Sequence, residues 1–102
     1  MPILIFFGKS NRKGKRYLIR FVNPKMTFHF GSDVATTFTD GATQQKKDAY
    51  LARHRVNEDW TKINAGSLSR FVLWGDSRNL ETNLKSYLRR FKIKDNRKSP
   101  LK

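Results

Sequence analysis

Cysteine is absent from the 102-residue chain. That excludes a disulfide framework and any thiolate metal site, and it fits a reducing, intracellular compartment. Acidic residues are scarce, with 8 Asp and Glu against 22 Lys and Arg. Residues 1–30 contain no acid, yet carry Lys9, Arg12, Lys13, Lys15, Arg16, Arg20 and Lys25. Long apolar runs are also missing. Ile3 to Phe7 is too short for a signal peptide or a membrane span, and basic residues follow it rather than precede it. These absences predict a protein that is neither secreted nor inserted in a membrane.

Familiar catalytic signatures are missing as well. No serine sits in a Gly-x-Ser-x-Gly elbow. Gly8 to Gly14 lacks the spacing of a nucleotide-binding loop and falls between two predicted strands rather than before a helix. Glu58 and Asp59 are adjacent, so on a helix they point apart and cannot act as a dyad. Asp33 and Asp40 read as turn and capping residues. His54 and Glu58 stand four apart and could share a helix face, with His29 as a third metal ligand. Arg53 and Arg55 flank His54 and would repel a cation, so a His54–Glu58 hydrogen bond or ion pair is the better reading. The expectation is a non-enzymatic protein with no cofactor and no metal.

What is present is aromatic and basic. Aromatic residues make up 13% of the chain, enough to build one modest core in a domain of this size. The formal net charge is +14. Such self-repulsion makes sense if a polyanion neutralises it.

The N-terminal third reads as a three-stranded antiparallel meander. Ile3 to Phe7 is the first strand. Arg16 to Val22 alternates, with Tyr17, Ile19 and Phe21 on one face; Met26, Phe28 and Phe30 continue that face after the Asn23-Pro24 turn. The segment Arg16 to Phe21 resembles the aromatic strand of RNA-recognition sheets, but strands followed by helices is not that module's order, and Tyr17 and Phe21 read as core.

The remainder reads as helices. One covers Thr43 to about Asn57, with Ala49, Tyr50, Arg53, Val56 and Trp60 near helical spacing. A short second one, Leu68 to Trp74, would be capped by Ser67 and ended by Gly75. A third starts at Asn79 and buries Leu80, Leu84, Tyr87, Leu88 and Phe91, with Lys85, Arg89 and Lys92 on its polar face. Trp60 and Trp74 read as core anchors. The predicted fold class is α+β: a single domain over residues 1–94, with the meander packed on two or three C-terminal helices, and a flexible basic tail over 95–102.

A series of spaced motifs is also present: His29-Phe30-Gly31, Tyr50-Leu51-Ala52-Arg53-His54, Asn57-Glu58-Asp59-Trp60, Ala65-Gly66-Ser67-Leu68-Ser69-Arg70 with Leu73-Trp74, and Tyr87 to Phe91. Over residues 15–92 it resembles a family of short basic uncharacterised proteins encoded by large nucleocytoplasmic DNA viruses, marseilleviruses among them. The resemblance implies a virion or genome-associated setting, in the particle or in the cytoplasm or nucleus of an infected cell, and carries no catalytic residues.

Charge and setting together predict a nucleic-acid-binding protein, with double-stranded DNA favoured over RNA and little sequence preference. Phosphate contacts are expected from Lys9, Arg12, Lys13, Lys15 and Arg16 at the hairpin tip, and from Lys85, Arg89, Arg90, Lys92, Lys94, Arg97 and Lys98 at the C-terminus. The rival reading is a structural virion protein that binds an acidic partner or pairs as a homodimer through an open strand edge at Ile3–Phe7.

Overall fold

The computed structural model describes residues 1–97. Its fold is α+β, with strands first and helices after. Strand β1 (Ile3–Lys9) pairs antiparallel with β2 (Lys15–Val22), and β2 pairs antiparallel with β3 (Met26–Ser32). A two-residue strand β4 (Lys94–Asp95) joins β1 in parallel, giving the order β3-β2-β1-β4. This fourth strand takes in Asp95, which the sequence reading assigns to the tail. Lys94 N donates to Pro2 O and Asn96 N to Leu4 O, so residues 94–96 extend the sheet, while residues 98–102 of the expected tail lie outside the described residues. It also covers Ile3 and Leu4, leaving β1 open only from Ile5 onward.

Strand β1 is not regular. Leu4 and Phe7 both enter the core, yet they are three residues apart, and a strand of period two cannot send both to one face. A bulge between Leu4 and Phe6 absorbs the extra residue: Leu4 lies opposite Phe21 and Phe6 opposite Arg20. The same bulge turns Phe6 to the face away from the core.

Helix α1 (Gln44–Arg55) begins at Thr43, whose hydroxyl accepts the Lys46 N–H. Its core stripe is not the expected one. Val56 is 77% exposed, while Lys47 and Tyr50 are buried. The buried Lys47 ammonium donates to Gly75 O at 2.8 Å and lies 4.6 Å from the centre of the Phe38 ring.

The predicted second helix starts earlier. Helix α2 (Ala65–Leu68) is capped by Asn64, with Ser67 in the reciprocal position of a capping box. Ser69–Leu73 continues it as a π-helical turn, closed by Trp74 N donating to Ser69 O. Gly75 ends it, because a side chain there would meet Phe71 O and Asn83.

Helix α3 (Leu80–Arg90) is capped by Asn79, as its sequence predicts, and buries Leu84, Tyr87 and Leu88. These side chains join Leu4, Phe7, Ile19, Phe21 and Phe30 of the sheet in one core. Trp74 is buried in it, but Trp60 is not part of it and stays half-exposed. No helix among the described residues is long and apolar enough to cross a membrane.

Candidate nucleic-acid interface

The sheet has one face on the core and one toward solvent. Register places Phe6, Arg20 and Thr27 side by side across the outer face, with Gly8, Leu18 and His29 as the next row. Phe6 is 42% exposed. Its ring lies over Gly8, where a Cβ would approach Phe6 Cζ to 2.8 Å, and the Arg20 guanidinium is 5.9 Å from the ring centre. No acid occurs before Asp33, so β1, β2 and β3 contribute none to this face.

The hairpin tip is a built turn. Ser10 N donates to Arg16 O and Lys15 N to Arg12 O, while Gly14 takes a φ of 82° that favours glycine. Ser10 Oγ accepts from Arg12 N and sits 2.6 Å from His29 Nδ1. Partial desolvation, then the charges of Arg12, Arg20 and Lys15, push the His29 pKa below its usual value. A neutral ring nitrogen can then accept the Ser10 hydroxyl proton. Lys9, Arg12, Lys13 and Lys15 form no ion pair among the described residues. Arg16 differs: its guanidinium grips Asp40 with two nitrogens, so its charge is already answered.

The C-terminal group divides. Lys85, Arg89 and Lys92 border a shallow surface with Met1, Leu88 and Ile93. Lys94 lies beside Ile3, at the same end of β1. Arg90 leaves this group and covers the Phe71 ring on another side of α3, 4.1 Å from its centre. Arg97 departs from the expected phosphate contact. It pairs with both Glu81 and Asp95, and its side chain is only 4% exposed. Lys98 lies outside the described residues. The hairpin tip and the Lys85–Lys94 group stand at opposite ends of β1, about 20 Å apart from the rise per residue of a strand.

Most of the remaining acids are also engaged; Asp33, whose N–H donates to Gly14 O beside the hairpin tip, has no side-chain partner among the described residues. Glu58 accepts from Trp60 Nε1 and lies 2.7 Å from His54 Nδ1, the pairing that the spacing predicts. His29 is not a third partner, since it faces Ser10 on the outer sheet face. No group of three metal-ligating side chains occurs among the described residues. Asp59 lies near Lys62, and Asp76 near Lys47.

Sequence reading set Arg20 and His29 opposite the apolar face without counting them, or Phe6, among the binding residues. Arg20 and His29 sit at the polar positions of alternating strands, a signal that could have found them. Phe6 could not be placed without the bulge.

The motifs behind the family resemblance converge elsewhere. Phe30 and Gly31 of β3, Tyr50 and His54 of α1, Glu58, Gly66 and Trp74 border one cleft of about 400 Å³. Tyr50 stacks on His54 at 4.2 Å and on Trp74 at 4.5 Å. A Cβ on Gly31 would approach Leu73 to 2.7 Å, and one on Gly66 would approach Glu58 to 3.1 Å. These residue types are demanded by the packing of β3, α1 and α2.

A model of a family of unknown function (DUF5754) matches residues 7–54, which run from β1 to α1. No curated protein and no solved structure matches the chain.

Proposed function

We propose that this protein binds nucleic acid through the phosphate backbone, duplex DNA in the first place and with little sequence preference. The observation that carries the reading is the outer face of β1, β2 and β3, to which these strands contribute no acid, where Arg20 and His29 continue the charge of the hairpin tip (Lys9, Arg12, Lys13, Lys15). A concentration of positive charge draws a polyanion without fixing its register. Lys85, Arg89, Lys92 and Lys94 form the second contact. Following the resemblance to proteins of large DNA viruses, the proposed setting is genome-associated, in a virion or an infected cell.

The test is fluorescence-anisotropy binding to a random duplex of about 30 base pairs across a salt series. With about six phosphates neutralised, log K falls against log salt with a slope near −5. RNA duplex and heparin serve as competitors, and equal competition by heparin reduces the reading to general polyanion affinity. Weak or salt-insensitive binding rejects it.

The rival reading, a homodimer or a virion protein partner, draws support from Ile5 and Phe6, which are exposed on the half of β1 that β4 leaves open. Light scattering that shows a dimer, lost in Ile5→Lys, would favour it.

A further inference from the structure

The helical side of the molecule holds two guanidinium groups on one aromatic ring. Arg70 lies 4.8 Å and Arg90 4.1 Å from the centre of Phe71. Their like charges repel; burial lowers the Arg70 pKa, Asp76 raises it, and the charge of Arg90 lowers it by less than Asp76 raises it. Arg70 is held in place from two further directions: Nη1 donates to Trp74 O at 2.9 Å, and the Trp60 ring centre is 5.3 Å away. Its Nε–H is buried and has no acceptor. Arg90 has no hydrogen bond or ion pair among the described residues.

Two like charges kept together, one with an orphaned buried donor, cost stability unless something answers them. Both border a cavity of about 210 Å³ whose wall includes Ser77, Thr82 and Ser86. That is below the size of pockets that hold drug-sized ligands. It suits a small oxyanion, whose several acceptor oxygens match a fork of guanidinium donors. Asp76 also borders the cavity, but its carboxylate is fully exposed and lies 3.7 Å from Lys47 Nζ rather than on either arginine.

We propose that Arg70 and Arg90 form a binding site for a phosphate group, either the free ion or the terminal phosphate of a nucleic acid chain. The site is separate from the outer sheet face and needs no duplex. The π-helical turn is what builds it: the wide turn between Ser69 and Trp74 brings Trp74 O to Arg70, fixing the arginine beside Phe71. Asn83 completes the frame by donating to Val72 O and Ser77 O.

The experiment is a titration of the full chain with inorganic phosphate, reading the arginine Nε–Hε resonances by NMR, with chloride at equal ionic strength as the control. The Arg70 resonance should move and saturate below about 50 mM, a concentration that fills even a site with a Kd of about 1 mM. Arg90→Gln, a change at an exposed head group, should weaken phosphate about tenfold, as loss of a charge-assisted contact does. In Arg70→Lys the Arg90 resonance, which should also move in the parent protein, should no longer saturate while the circular dichroism spectrum stays unchanged. A 5′-phosphorylated oligonucleotide that acts at lower concentration than its 5′-hydroxyl twin assigns the site to chain ends; equal action by the twins, with saturation by inorganic phosphate, assigns it to the free ion. An Arg70 resonance that phosphate leaves unmoved, or that chloride moves equally, overturns the proposal. Because the readout needs only the small ion, failure of duplex binding and failure of this site are separate results.

Discussion

Ser67 Oγ and Tyr87 Oη lie 2.7 Å apart in the fully buried centre of the molecule, joining α2 to α3. Ser67 Oγ also accepts from Asn64 N and donates to Asn64 O, so it serves the helix cap and the core at once. Tyr87→Phe should cost about 1–2 kcal/mol, because a buried polar partner loses its bond. For a domain of this size that is a fall in Tm of roughly 4–8 °C per kcal/mol. Ser67→Ala should cost a similar amount, and the double variant less than the sum, since both remove the same contact. Thermal melts of the four proteins check this.

Burial pushes the Tyr87 phenol up to about 12, and burial followed by the Glu58 charge does the same for Tyr50. The folded state therefore holds both protons at a pH where the unfolded chain, near 10, releases them. Stability is full below about pH 10 and falls as pH rises from there toward 12. Urea midpoints at pH 8 and pH 11 should show the fall, and Tyr50→Phe should show a smaller one. Equal falls in both proteins would remove Tyr50 from the account.

At the acid end the sign reverses. Burial opposes ionisation of Asp40, but the bonds from Arg16 and Thr37 outweigh it; Asp95 is held down chiefly by its bond from Arg97. Both lie below the ordinary 3.8, so their contribution is present above that pH and is lost as pH falls below it. Arg97→Gln should shorten this acid limb and free β4 from α3. Hydrogen exchange at the Lys94 and Asn96 amides should then speed up while the β2 amides keep their protection.

Lys47 separates a structural cation from a binding one. Lys47→Met keeps the stem in the core but strips Gly75 O of its donor and Phe38 of its ammonium. The expected cost is about 1–3 kcal/mol. DNA affinity should not change, because the group is 7% exposed and cannot reach a phosphate. A loss of DNA affinity without loss of stability would contradict that placement.

On the outer face, Arg20→Gln with Lys15→Gln should flatten the salt slope by about 2. Phe6→Ala should weaken single-stranded DNA, by about 1–3 kcal/mol if one base stacks on the ring, and leave duplex binding unchanged. Phosphate beside His29 would favour its charged form against Arg12, Arg20 and Lys15, so its lowered pKa should rise on binding and affinity should grow as pH falls toward the free protein's value. An NMR titration of His29 with and without duplex checks the direction.

Local chemistry determined much of this protein. Alternation in Tyr17, Ile19 and Phe21, the Asn79 cap and the stripe from Leu80 to Phe91 were legible because strand and helix periods act over a few residues. The His54–Glu58 pair was legible because the two residues are only four apart, although Glu58 lies beyond the end of α1. The excess of basic charge needed no fold at all. What only the tertiary structure decided depends on partners distant in sequence. The bulge that exposes Phe6 follows from Leu4 and Phe7 both seeking the core. Lys47 takes a core position because Gly75 O and Phe38 wait for it. Arg16 and Arg97 lose their free charge to Asp40, Glu81 and Asp95, and Arg90 turns from the basic group to Phe71 and Arg70. A run of like charges reads as one patch in sequence; the fold sorts it by where each side chain finds a carboxylate, a carbonyl or a ring.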